Sequence, residues 1–370
     1  MSTSAEERDE PKSPRIENLD RTIAHLDLDA FFVSVELQRR PELKGLPVIV
    51  SGTGPRSVVT TASYEARKFG VGSAMPTAKA LRLCPEAVVV PPDGAAYKRM
   101  SGTVMDLIRH HVPQVEQAGL DEAYADLTGM LAPSAAMRRV VHDIRVETGL
   151  HASVGIGPNR LVAKVASDAE KPDGFVFLSQ EQARMKFADS STRLLPGVGP
   201  KTRERLERLQ IYTVDELSEA SVQELTDEFG GRQGPWLRAR ARFEDDTPVQ
   251  TDREAVSESR ETTFSVDVEG IAELRERMAP LVLELCKALE THGHSGRTVG
   301  IKIRYSDFET HTRARTLDHS VSDRATVGRI ASQLLDEFQP SRPVRLLGVR
   351  VAGFTGATSK PREQLSLPFG

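Results

Sequence analysis

The chain has 370 residues, 39% hydrophobic and 28% charged, with a formal net charge of -4. That length calls for several folded units, since single cores stop growing near roughly 250–300 residues, and the composition excludes a fibre, a disulfide scaffold or a wholly disordered chain. No run approaches the roughly 18 uninterrupted apolar residues of a membrane span, and Cys84 and Cys286 lack metal or redox spacing, which fits a reducing cytoplasm.

Residues 1–20 are polar and mixed in charge and read as a disordered leader. In TIAHLDLDAFFVSVE, Ala24, Leu26 and Leu28 share one side and His25, Asp27 and Asp29 the other. This predicts a half-buried strand with its acids on an open face. Phe31, Phe32, Val33 and Val35 then lead into a helix. Strands are predicted in PVIVSG and SVVTTAS, and helices from Tyr64 to Phe69 and from Ala95 to His111. The segment from Val115 to Leu127 reads as a hairpin with Asp121 and Glu122 near its tip. Ser134 offers an N-cap to a helix through Met137, Val140, Val141 and Ile144. A strand (Ala152 to Ile156), a helix (Asn159 to Asp168) and a strand (Phe175 to Leu178) follow. From Ser179 to Arg242 the pattern changes to short helices with Gly and Pro punctuation, and Glu244 to Glu261 reads as a linker. A second α+β unit closes the chain. Its predicted helices run from Ile271 to His292 and Ala325 to Phe338, and its strands from Val299 to Tyr305, His311 to Leu317 and Val344 to Val351.

Two acidic clusters carry the chemistry: Asp27-Leu28-Asp29 and Asp121-Glu122. Carboxylates converging at strand ends hold hard divalent cations through oxygen, and two such ions about 4 Å apart drive in-line displacement at phosphorus. Either cluster alone would be an ordinary solvated surface acid. The negative net charge sits awkwardly with nucleic-acid binding, but Arg297, Lys302, Arg304, Arg313 and Arg315 concentrate positive charge late in the chain, and Arg342, Arg345 and Arg350 follow. LPGVGPKT does not satisfy the G-x-x-x-x-G-K-[ST] phosphate loop, because Gly197 and Gly199 are one residue apart, and GIGPN fails G-x-G-x-x-G.

In order, LDLDAFF, TTASYEARKFGV, GLDEAYADLTG, SVGIGPNRLVAKVASDAEKPDG and LPGVGPKT resemble the Y-family DNA polymerases, in the DinB or polymerase IV branch, over about Thr22 to Phe354. The resemblance implies an α+β multidomain right-hand polymerase. Its ferredoxin-like palm would occupy residues 21–30 and 93–178, small fingers 31–92, a helical thumb with a helix-hairpin-helix 179–245, a linker 246–258, an α+β little finger 259–356 and a tail 357–370. It implies template-directed, distributive, error-prone translesion synthesis by a cytoplasmic monomer acting on primer-template DNA and deoxynucleoside triphosphates, away from membranes. Two Mg²⁺ ions, replaceable by Mn²⁺, would be held by Asp27, Asp121, Glu122 and the backbone carbonyl of Leu28, with Asp29 structural. Phe31 and Phe32 would meet the nucleotide, Phe32 as a steric gate against a 2′-hydroxyl, and Thr61, Tyr64, Arg67 and Lys171 would reach the triphosphate. Gly197, Gly199 and Lys201 of the helix-hairpin-helix, with Arg260, Arg304, Arg313, Arg315 and Arg345, would hold DNA phosphates without reading bases. QLSLPF, through Gln364, Leu365, Leu367 and Phe369, resembles the peptide that docks on a sliding clamp, the beta subunit. Two departures stand out: Gly119 replaces the Ser usual before the acid pair, and Glu258 stands where a cation is usual, which leaves Arg260 to carry that strand's phosphate contact. The alternative reading is a polymerase-like clamp adapter without catalysis, and a third is a nucleotide cyclase on a related palm.

Overall fold

The computed structural model describes residues 21–252 and 254–354, so the leader and the QLSLPF peptide lie outside the described residues. In chain order the elements are β1 (Ile23–Leu28), α1 (Phe31–Arg39), β2 (Val48–Ser51), β3 (Val59–Ala62), α2 (Tyr64–Arg67), α3 (Thr77–Leu83), β4 (Val88–Val90) and α4 (Gly94–His111). These are followed by β5 (Val115–Gln117), β6 (Glu122–Asp126), α5 (Pro133–Thr148), β7 (Ala152–Gly157), α6 (Arg160–Asp168) and β8 (Phe175–Phe177). A helical stretch comprises α7 (Gln180–Phe187), α8 (Pro200–Arg208), α9 (Val214–Glu219), α10 (Val222–Phe229) and α11 (Gln233–Ala241). Last come β9 (Ser257–Val268), α12 (Ile271–His292), β10 (Gly296–Tyr305), β11 (Thr310–Val321), α13 (Arg324–Phe338) and β12 (Val344–Phe354).

The chain forms two compact units. One contains the residues up to Asp29, Val104–Ala118 and Glu122–Val249; the other contains Ala30–Thr103, Gly119–Asp121 and the chain from Gln250 onward. The first is built on a five-stranded sheet, order β5-β6-β1-β7-β8, with β1 antiparallel to both neighbours and β7 parallel to β8. Helix α5 packs on β7, while α6 lies across β1, β7 and β8. The helical stretch shares its core with α6, where Leu161, Val162 and Val165 meet Leu206, Leu225 and Leu237.

The second unit holds a three-stranded sheet, order β3-β2-β4, whose core of Ile49, Val59 and Ala62 meets Ala66 of α2 and Ala80 of α3. It also holds a four-stranded antiparallel sheet, order β11-β10-β12-β9. There Val299, Ile301 and Ile303 pack under Leu285 and Leu289 of α12 and Ile330 and Leu334 of α13.

Three expectations change, and two elements were not expected. Strand β1 is buried along its whole length rather than half-open, because strands pair on both its edges and α6 covers the His25 and Asp27 side. Ser134 is not the cap of α5; Pro133 takes the first helical position, where its missing N–H is no loss. The linker ends early, since β9 begins at Ser257. Helix α3 and strand β4 had no strong periodic signal; β4 is a three-residue apolar run parallel to β2.

The fit of α6 onto the sheet depends on Gly155. A Cβ there would collide with backbone atoms of Ala163 and Ser167 on α6. The helix start is fixed by Asn159, whose side chain caps Val162 N at 2.9 Å and donates to the Phe243 carbonyl at 2.8 Å. Gly155→Ala is therefore expected to lower stability by about 2–4 kcal/mol through overpacking and backbone displacement. Gly102→Ala within α4, where a Cβ meets nothing within 4 Å, should raise stability by about 0.5–1 kcal/mol. Denaturant unfolding of the two variants reads both values, and equal effects would refute the tight crossing at Gly155.

Candidate active site

The strand register sets Asp27 directly opposite Glu122 at the ends of β1 and β6, and Asp121 immediately precedes that strand. From α6, Lys164 Nζ reaches Glu122 Oε1 at 2.6 Å and Asp27 Oδ2 at 3.3 Å. Lys171, just beyond α6, bonds Asp27 Oδ2 and Asp168 Oδ1, each at 2.7 Å. His25, next on the same side of β1, is fully buried and shares a 2.8 Å hydrogen bond with Ser167 on α6. Its Nε2 stands 3.9 Å from Glu122, beyond hydrogen-bond range. The other end of α6 is held by Arg160, which grips Glu116 with two donors and lies 4.1 Å from the Tyr124 ring centroid.

Asp29 has the structural part expected of it. It is buried, accepts from the Ser153 hydroxyl at 3.0 Å and receives the Asp173 N–H at 2.9 Å. That bond anchors the turn after Lys171, so Asp29 acts on the site by positioning rather than by contact.

Asp27 is only 8% exposed, and burial, assisted by the neighbouring Glu122, pushes its carboxyl up to about 7 despite the two lysines. For Glu122, burial works against ionisation, but the Lys164 ammonium bonded to it holds the carboxyl well below the usual range. Burial lowers His25 and favours its neutral form. Lys164 and Lys171 are themselves held above the usual lysine range: burial opposes their charge, and the adjacent carboxylates outweigh it. Two close carboxylates therefore divide into one that is firmly ionised and one that gains a proton near neutrality, the pattern expected of like charges in a dry site. A hard cation suits this set, since the oxygen donors are already gathered and lysine ammoniums supply the countercharge.

The second unit carries the other nucleotide candidates. The Phe31 ring is 2% exposed and belongs to the core, so what it can offer a ligand is its backbone. Phe32 is half-buried and stacks on Tyr97 at 4.4 Å, and the Tyr97 hydroxyl donates to buried Glu36 at 2.8 Å. Helix α1 begins directly after Ala30, whose left-handed φ of 46° turns the chain sharply out of β1. Thr61 is buried in β3. Tyr64 and Arg67 share a face of α2 as expected, but they engage each other: the guanidinium lies 4.6 Å from the ring centroid and Nε bonds the Ala62 carbonyl.

Residues 26–168 match the model of the impB/mucB/samB family, residues 255–367 its C-terminal domain, and residues 193–244 the DNA polymerase-iota thumb domain. The DNA polymerase IV of Streptomyces coelicolor is 43% identical, covering 92% of this chain and 72% of that protein. That of Methanoculleus marisnigri is 40% identical, covering 92% and 96%. The chain belongs to the Y-family DNA polymerases, in the polymerase IV branch. A solved Y-family DNA polymerase chimera has the same architecture, with a TM-score of 0.81 and 25% identity over 90% of this chain and 99% of that one.

Elsewhere in this polymerase, Gly197 has φ 94° and Trp236 packed against it, while Gly199 precedes α8, whose first turn has no side-chain cap. Lys201 is exposed in that turn. The late arginines divide between two sheet faces. Residues directly opposite in register point the same way, so Arg313 and Arg315 lie on the helix-covered side with Ile301 and Val299, and Arg260 lies there with Val349. Arg315 bonds Gln333 and Glu337 of α13, Arg313 lies over Phe338, and Arg260 bonds Glu258. Lys302, Arg304 and Arg350 project from the opposite face, where Lys302 bonds Glu261 and Arg304 bonds Thr310, and Arg345 lies over Phe308 at a register shift.

The residue that sequence reasoning missed is Lys164. Its signal was available: it lies four residues before Asp168 and seven before Lys171, on a helix whose apolar side faces the sheet. In metal-free protein, a carboxyl raised from 3.8 to about 7 binds more protons folded than unfolded, so its contribution to stability falls as pH rises through that window. The stability of wild type minus that of Asp27→Asn, measured by denaturation in chelator, should decline from pH 4 to pH 7 by on the order of a few kcal/mol. A flat difference would contradict this assignment.

Proposed function

We propose that the chain is a template-directed DNA polymerase that extends a primer 3′-hydroxyl with deoxynucleotides during translesion synthesis. The observation that carries the reading is the opposed pair Asp27 and Glu122, backed by Lys164 and Lys171, in a chain of this family. Asp27, Asp121, Glu122 and the Leu28 carbonyl would hold two divalent cations, Mg²⁺ or in its place Mn²⁺. When bound, these would lower the pKa of the attacking hydroxyl and neutralise triphosphate charge.

The protein's own part is placement. Lys171, now paired with Asp27, would be free to turn to the triphosphate once that carboxylate held a cation, and Lys164 pairs with Glu122 and limits charge repulsion between the acids. Phe32, backed by Tyr97, presents a fixed edge to the sugar and disfavours a 2′-hydroxyl. Thr61, Tyr64 and Arg67 complete the triphosphate contacts, with the guanidinium forked towards phosphate. The turn at Gly197 and Gly199, Lys201 and the sheet face carrying Arg304, with Arg345, grip the DNA backbone through charge, which gives no base preference. Arg260, Arg313 and Arg315 join them only by exchanging their present carboxylate, carbonyl and ring partners for phosphates. The peptide Gln364 to Phe369 tethers a monomeric, otherwise distributive enzyme to a sliding clamp.

Primer extension tests the reading. Asp121→Ala should reduce the rate by at least about 10³-fold, and extension at wild-type rate would instead favour a non-catalytic clamp adapter. Phe32→Ala should raise ribonucleotide use relative to deoxynucleotide at least about tenfold with deoxynucleotide incorporation largely kept. Unchanged sugar selectivity would remove the gate from Phe32.

A further inference from the structure

In the four-stranded sheet unit, far along the chain from the catalytic acids, Glu258, His292 and His294 converge. One donor atom from each lies within 4.8 Å of the others. We propose that these three residues form a site for a divalent transition metal of the zinc class.

The geometry arises from two local features. Helix α12 ends at His292, and Gly293 follows in the left-handed region with φ 67°. The Gly293 N–H bonds the Glu290 carbonyl at 3.1 Å and the His294 N–H bonds the Leu289 carbonyl at 2.8 Å, so the chain folds back over the helix end with the two imidazoles 5.8 Å apart. Glu258 stands on β9, opposite Val351, and its side chain is on the helix-covered face and only 4% exposed. Arg260 holds its Oε1 at 2.8 Å, while Oε2 lies 3.3 Å from His292 Nδ1. The His294 ring is stacked on Phe354 at 4.7 Å. Its Nδ1 is buried, and among the described residues no hydrogen-bond partner reaches it.

Zn²⁺ bound at about 2.0–2.1 Å to each donor of a tetrahedron sets those donors about 3.3 Å apart. The Glu258–His292 pair is already at that spacing, and the third donor lies within 4.8 Å of both. Two imidazole nitrogens and one carboxylate oxygen are a borderline-soft set that selects Zn²⁺, Co²⁺ or Ni²⁺ over Mg²⁺, which demands oxygen. A metal would satisfy the orphaned Nδ1 and leave one position for water. It would also tie edge strand β9, the entry of the chain into this sheet, to the end of α12.

The test is titration of the full-length protein with Co²⁺ in excess Mg²⁺, read by visible ligand-field absorption, with a thermal scan in Zn²⁺. Wild type and Asp27→Asn should each take up one equivalent with the absorption of a low-coordinate nitrogen and oxygen site. Zn²⁺ should raise their unfolding midpoint by several degrees. Glu258→Gln and His294→Ala should lose both signals, as should the volume-conserving His292→Gln and His294→Gln if the truncation folds poorly. Absence of the band in wild type would overturn the proposal, as would its survival in these variants or its loss in Asp27→Asn, which would place the ion at the catalytic acids.

Discussion

The close crossing of α6 over β1 and β7 is the constraint on which the first unit depends. A helix normally stands off a sheet by the length of a side chain; at Gly155 the backbone of Ala163 and Ser167 comes down onto the strand itself. That contact turns the His25 and Asp27 side of β1 from an open face into a dry one. It also sets the height from which Lys164 and Lys171 reach down to the acids. The asparagine cap and the Arg160–Glu116 fork fix the start of the helix and the Ser167–His25 bond fixes its far end, so the lysines arrive with little freedom left to lose.

Burying carboxylates without countercharge would be prohibitive. The site resolves this with lysines, and the arrangement stays responsive because Asp27 titrates near neutrality while Glu122 stays ionised. A cation entering such a set competes with ammonium groups and one proton rather than filling a finished cage. The candidate carboxylates are thereby held in place yet remain exchangeable, as the proposed cation site requires.

The second unit follows the opposite logic. Its candidate contact groups stand at surfaces of small, self-contained cores: Phe32 braced by Tyr97 and the Glu36 hydrogen bond, Arg67 by Tyr64. In the four-stranded sheet, alternation assigns each cation to a side. Arg350 meets solvent and Lys302 and Arg304 are half-buried with Glu261 and Thr310 as partners, while Arg315 and Arg260 pair with side chains at the rim of the helix-covered layer and Arg313 lies over Phe338 there. The same face brings Glu258 to the two histidines, so one strand's register creates both a loss of free positive charge and a cluster of metal-type donors.

Much of this was legible in the sequence, because it rests on short-range rules. The period-two run at Ile23–Leu28, the apolar spacing of α4 and α12 and the hairpin around Asp121 are each fixed within a dozen residues, and the five motifs in order identified the family. The acid clusters with Asp27, Asp121 and Glu122 stood out by residue type, and the resemblance made those three the candidate cation ligands. Tertiary structure decided burial and pairing. It closed the face of β1, because α6 approaches from more than 130 residues away in sequence. It added Lys164, sent Phe31 inward and divided the late arginines between two faces. Those outcomes depend on which surfaces meet after the chain has folded back on itself, and the period of a single strand specifies only that there are two sides, not which of them will be covered.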